Sequence, residues 1–150
     1  MAAAFCGRRP EASRAPRLAN ALSVQLPGVG DIYPGTKICC VINSSADVLA
    51  QFSTSEVAFD EVTAVVGALK QAAIQFGNAA GGMDCPVIHI KGMNHIFSCF
   101  DIGQSGNLLA FYSEMHPTSV ELFDTSMADI EMVGIIDSLG RVLERQKAGA

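Results

Sequence analysis

Apolar residues along this chain recur in two rhythms, and the switches between them mark out the elements. In "RLANALSVQL", Leu18, Leu22 and Leu26 recur every fourth residue, which predicts a short helix over 17–26 ended by Pro27-Gly28. Ile38 to Ile42 is then a continuous apolar, β-branched run, the pattern of a strand buried on both faces. Asn43 to Asp47 is turn material, and Val48 to Phe52 is the return strand. Ser53-Thr54-Ser55-Glu56 reads as a capping box that opens a helix over 56–76. That helix carries one large apolar stripe, Phe59, Val62, Val65, Val66, Leu69, Ala73 and Phe76. Beside it lies a strip of small residues, Ala64, Gly67, Ala68 and Ala72. "NAAGGMD" is a flexible connection.

Two strands flank "IKGMNH", with Gly92-Met93 as a two-residue type II′ turn. That register pairs Lys91 with Asn94 and Ile88 with Phe97. It puts Ile88, Ile90, Phe97 and Cys99 on one face, and His89, Lys91, Asn94 and Ser98 on a wetter one. "DIGQSGN" turns into a last strand, "LLAFYSE". A long helix over 119–145 closes the chain, with Met127, Ile130, Val133, Ile136, Leu139 and Leu143 on one side. The prediction is an α/β fold of the α+β kind: one domain over 17–147, with a five-stranded antiparallel sheet flanked by helices in the order α-β-β-α-β-β-β-α.

Charge changes the picture at one end. The first 17 residues hold Arg8, Arg9, Arg14 and Arg17 against Glu11 alone, and the rest has 6 basic and 14 acidic residues. Residues 1–16 therefore read as a disordered basic tail, with an organelle transit peptide as the alternative. So acidic a body repels a phosphate backbone, which excludes nucleic acid as a partner. No apolar run is long enough to cross a membrane. Five cysteines, an odd count with no secretory signal ahead of them, read as reduced thiols in a cytoplasmic protein.

Candidate chemistry is thin. "GDIYPGTK" has the glycine spacing of a G-x-x-x-x-G-K-[ST] phosphate loop, but Thr36-Lys37 reverses the order. Such a loop follows a strand and opens a helix; here a helix precedes and a strand follows, so the segment reads as a connector turning at Pro34-Gly35. Cys85, His89, His95 and Cys99 are zinc-type residues placed symmetrically about Gly92. Strand positions four apart lie about 13 Å from each other, too far for one ion. An enzyme built on His89, His95 and Cys99 needs those side chains to converge, and the register sends His89 and His95 to opposite faces. His116 reads as a solvated loop residue, and Asp124, Asp129, Glu131 and Asp137 as a soluble helix face. No catalytic residue, cofactor or metal is expected.

From about 17 to 145 the chain resembles the roadblock family, which includes roadblock-type dynein light chains, Ragulator subunits and a bacterial gliding-motility regulator of a small GTPase. The resemblance rests on the helix ending in "LPGVG", on "CCVINSSADVLAQFS", on the helix from Ser53, on the "VIHIKGMNHIFSCFD" hairpin and on the final helix. Two departures are Ser45-Ala46, where the family usually has a turn glycine, and the longer "DIYPGTK" connector. The resemblance implies a non-enzymatic adaptor that pairs with itself or another roadblock chain. The central helices would meet at Ala64, Gly67, Ala68, Gln71 and Ala72, and the third strands at Val87, His89 and Lys91. It implies a small-GTPase-regulating, Ragulator-like assembly at an endolysosomal surface, or a dynein intermediate-chain complex on microtubule motors. A longin-type trafficking subunit is the alternative, told apart by having no helix before its first strand. The alanines of the strip also suit the helix in their own right, since Ala is the best helix former.

Overall fold

Proline and glycine set the first boundaries, in a computed structural model that describes residues 16–54, 56, 58–81 and 86–148. The predictions for the tail, for Ser55 and for Cys85 fall outside these residues. Helix α1 spans 16–23 and buries Leu22, with Leu26 buried in the turn that follows. Pro27-Gly28 does not end the helical segment; Pro27 opens α2, Pro27–Ile32. Proline fits the first helical turn because its missing N–H has no partner to lose there. The "GDI" of the connector is therefore helical, and Thr36-Lys37 already belongs to β1, Thr36–Ile42.

The remaining elements are β2 (Val48–Ser53), α3 (Phe59–Ala79), β3 (Val87–Lys91), β4 (His95–Ile102), β5 (Asn107–Glu114), α4 (Pro117–Leu122) and α5 (Thr125–Ala148). The five strands form one antiparallel sheet in the order β2-β1-β5-β4-β3. The predicted order holds, with the first and last helices each split in two.

The capping box is not used as predicted. Ser53 ends β2, and α3 starts at Phe59 after Ala58, with no side-chain cap. The last helix breaks at Phe123, whose backbone is extended, and Asp124 restarts it by accepting from the Ser126 and Met127 N–H groups at 3.0 and 3.2 Å. His116 caps α4, its Nδ1 accepting from Thr118 N–H at 3.2 Å.

The β3–β4 hairpin is shifted by two residues from the predicted register. Lys91 pairs with Ile96 and Ile88 with Cys99, and Gly92 N–H donates to His95 O, so Met93-Asn94 form the turn. A shift of two leaves every side chain on its predicted face, because side chains alternate with period two.

Both faces of the sheet are covered. Cys39, Val41, Ala50, Ile96, Phe100, Ile102, Leu109 and Phe111 meet α1, α2, α4 and α5 through Leu22, Leu26, Val29, Val120, Met132 and Leu139. Cys40, Ile42, Cys99, Leu108 and Ala110 meet α3 through Val66, with Phe59 and Val62 beside it. The supposedly wetter face is the one under the four helices, where Ser98 and Ser113 are fully buried. Two predicted helix stripes are also corrected. Val65 and Phe76 of α3, and Met127, Ile130 and Val133 of α5, are exposed.

Two tight turns demand special backbone. Gly35 has φ +81°, and a Cβ there would lie 2.1 Å from the Glu114 carbonyl oxygen. Ala46 holds φ +65° in the β1–β2 turn, where Asn43 Oδ1 accepts from the Ser45 and Asp47 N–H groups at 2.9 Å. Left-handed backbone costs a residue with a Cβ roughly 1–2 kcal/mol, partly offset because glycine loses more entropy on folding. Ala46→Gly is therefore expected to stabilise the fold by about 0.5–1 kcal/mol, read as a later urea midpoint at unchanged slope.

Candidate functional site

Helix α3 lies on the sheet along the line Val62, Thr63, Val66 and Gly77. The opposite side carries the residues singled out in the sequence. Ala64, Ala68, Gln71 and Ala72 are exposed, and Gly67 is half-buried on the flank, with open space where a Cβ would go. Val65 and Phe76 extend this outer surface as large apolar side chains, 58% and 70% exposed. Under the helix flank an open groove of about 320 Å³ is lined by Ile38, Val62, Val65, Phe97 and Tyr112, with Glu61 as its charged residue.

The β3 residues divide differently. β3 is an edge strand of the sheet. Asp101 N–H donates to Pro86 O and Gly92 N–H to His95 O, so the even-numbered residues of β3 face β4. The backbones of His89 and Lys91 accordingly turn to the outer edge. Their side chains do not. Val87 packs on the core under the four helices, and the Lys91 ammonium donates to Phe123 O at 2.8 Å.

His89 belongs to a polar network inside the protein. Its Nδ1 lies 2.7 Å from Ser98 Oγ, and its Nε2 lies 2.9 and 3.0 Å from the Asp129 carboxylate oxygens. The Tyr33 hydroxyl donates to Asp129 Oδ1 at 3.0 Å. A carboxylate only accepts, so Nε2 carries a proton; in neutral His89 the Ser98 hydroxyl then donates to Nδ1. Burial, then the hydrogen bond and charge of Asp129, push the Tyr33 hydroxyl far above its usual range. The Tyr33 ring also meets Phe111 edge-on at 4.7 Å and Phe123 at 5.0 Å.

Serine, histidine and aspartate in a row invite a hydrolase reading, but Ser98 is 0% exposed, so no substrate carbonyl reaches its oxygen. The network is a clamp that ties β3 and β4 to α5 and the end of α2. Asp129, predicted to lie on a plain soluble face, is its centre. Sequence reasoning missed Tyr33, Ser98 and Asp129 as partners, since 96 residues separate Tyr33 from Asp129. The other candidate residues do not converge. His95 stacks on Tyr112 at 4.7 Å, and Cys99 is buried beneath α3. Among the described residues no group of three or more histidines, cysteines or carboxylates is placed to hold a metal.

Cys39, Cys40 and Cys99 are buried, and none of the three is in a disulfide. Burial, with Cys99 nearby, pushes the Cys40 thiol up from 9.0 to about 12, and burial beside Cys40 pushes Cys39 higher still.

No protein-family model matches the chain, and no curated protein matches its sequence. Solved structures do. The Roadblock/LC7 domain from Streptomyces avermitilis superposes with a TM-score of 0.67 at 17% identity, covering 81% of this chain and 97% of that one. The chain has the roadblock/LC7 fold. Gliding protein MglB from Thermus thermophilus superposes on this roadblock-fold chain with a TM-score of 0.69 at 13% identity, covering 85% of this chain and 92% of its own. An MglB with a tetrameric arrangement gives 0.70 at 13% identity, covering 86% and 92%.

Three outcomes follow for the roadblock-fold chain. Asp129→Ala leaves the Tyr33 hydroxyl and His89 Nε2 without their acceptor and is expected to cost about 2–4 kcal/mol by urea denaturation. Tyr33→Phe removes a donor rather than stranding one, and is expected to cost less. The raised thiols make stability alkali-sensitive: the unfolded chain releases their protons above about pH 9, while the folded chain keeps them. Their contribution is complete below that pH and falls as pH rises towards 12. Unfolding midpoints are expected to hold up to about pH 9 and then fall through pH 11, less so in Cys40→Ala.

Proposed function

We propose that the chain is a non-enzymatic adaptor that pairs, with itself or with another roadblock-fold chain, through the outer side of α3 and the outer edge of β3. It then serves in a small-GTPase-regulating, Ragulator-like assembly, or in a dynein-associated one. The observation that carries this reading is the outer surface of α3. Ala64, Ala68 and Ala72 leave room for a second helix to approach, and Val65 and Phe76 offer apolar area for it to bury. An edge strand with outward backbone groups is a ready template for another strand. The tetrameric arrangement described for one MglB supports assembly of this fold into larger units. Helices α1 and α2 ahead of β1 favour this reading over a longin-type trafficking subunit. The site is incompatible with an enzyme built on His89, His95 and Cys99, since those side chains lie on both faces of the sheet. No helix among the described residues is long and apolar enough to cross a membrane.

Light scattering on the purified chain tests the pairing. The expected wild-type mass is that of a dimer, and Ala68→Glu is expected to halve it while leaving the circular dichroism spectrum unchanged. A wild-type monomer that gains no second chain from a set of other roadblock-fold proteins would refute the proposal.

A further inference from the structure

On the far side of the sheet from α3, helix α5 presents a second apolar surface. Met127, Ile130 and Val133 are 62%, 68% and 55% exposed. Their spacing places them on one side of the helix, turned away from the buried Ala128, Met132 and Leu139. Exposed Leu122, at the end of α4, precedes them in the chain. Within this stripe sits Gly134, exposed, with open space where a Cβ would stand. Glycine destabilises a helix interior relative to alanine, and nothing among the described residues crowds the position so as to require it. A second helix backbone drawn close to α5 at that point would require it.

The polar neighbours carry one sign. Between Pro117 and Asp137 stand Glu121, Asp124, Asp129, Glu131 and Asp137, with no lysine or arginine. Asp129 is engaged with Tyr33 and His89, and Asp124 caps α5, while Glu121, Glu131 and Asp137 are exposed with no salt-bridge partner among the described residues. Lys91 reaches only Phe123 O, before the helix begins, and the next basic residue is Arg141, a turn beyond Asp137. A second copy of this surface would set carboxylate against carboxylate, and an anionic membrane would be repelled in the same way. An apolar stripe rimmed by carboxylates fits an amphipathic helix whose apolar side is flanked by lysine or arginine.

We propose that the outer side of α5, centred on Ile130 and Gly134, is a docking site for a basic amphipathic helix of a partner protein. It is separate from the pairing surface, because the whole sheet lies between them. The two surfaces let one chain pair through α3 and hold a tether through α5.

The test uses the full chain and two labelled peptides of about 18 residues, about five helical turns. Both carry the same leucine stripe; one has lysine on its flanks and the other glutamate. Fluorescence anisotropy is expected to show the lysine peptide binding at least about tenfold more tightly, with affinity falling as salt rises. Ile130→Glu is expected to weaken it about tenfold or more. Gly134→Ala is expected to raise the melting temperature yet weaken binding, which a purely structural role for Gly134 would not do. Light scattering on Ile130→Glu is expected to give the wild-type mass, so a failure here is distinct from a failure of pairing through α3. Equal binding of the two peptides, or indifference to Ile130→Glu, would overturn the proposal. So would a wild-type mass that Ile130→Glu halves, which assigns the stripe to a second copy. A tenfold gain in peptide affinity on deleting residues 1–15 would overturn it too, in favour of the chain's own arginine-rich start as occupant.

Discussion

Cys39 and Cys40 are neighbours in β1, their side chains leave the sheet on opposite faces, and both are fully buried. That is possible only if the centre of the sheet is covered on both sides at once. Every helix position follows from this demand. The chain before β1 and the chain after β5 lie on one face as α1, α2, α4 and α5. The one helix between the hairpins, α3, must serve the other. The division is unequal, and its effects reach the surface. A single helix cannot shield five strands, so Ile38, Phe97 and Tyr112 stay half-buried and Ile90 is exposed. The apolar groove beside α3 is what remains of that shortfall.

The better-covered face carries the polar cost. Tyr33, Asp129, His89 and Ser98 bring hydroxyl, carboxylate and imidazole groups into a region otherwise filled by Phe100, Phe111 and Met132. Each finds a partner, which makes the arrangement tolerable and also directional. An apolar contact between α5 and the sheet would allow sliding; hydrogen bonds from one carboxylate to groups on two other elements do not. The clamp therefore fixes the rotation of α5 about its own axis, and with it which residues α5 turns outward.

Much of the fold was legible in the sequence because strands and helices announce themselves by period. The strand positions, the hairpins and the length of α3 come from alternation and from the four-residue spacing. The misses have physical reasons. The split at Phe123 depends on Asp124 acting as a cap, which competes with an unbroken apolar rhythm in the sequence. Pro27 is equally at home ending one helix or opening the next, and the local pattern does not say which. Val65, Phe76, Met127, Ile130 and Val133 read as core because periodicity assigns apolar residues inward. An apolar residue reserved for the surface has the same signature. The small residues on the outer side of α3 were legible as a strip, whereas the place of His89 was not, since its partners Ser98 and Asp129 become neighbours only once the helix is laid across the sheet.

The way β3 is held has a consequence for recognition. Val87, His89 and Lys91 spend their side chains on this chain's own core, on Asp129 and on the Phe123 carbonyl. What the edge offers outward is backbone, together with Ile88 and Ile90 on the α3 side. Backbone is the same in every protein. A strand laid along this edge would find adhesion there but almost no address. Choice between one partner and another would have to be exercised by the helices, so the edge would act as a generic fastener and the helix surface as the key.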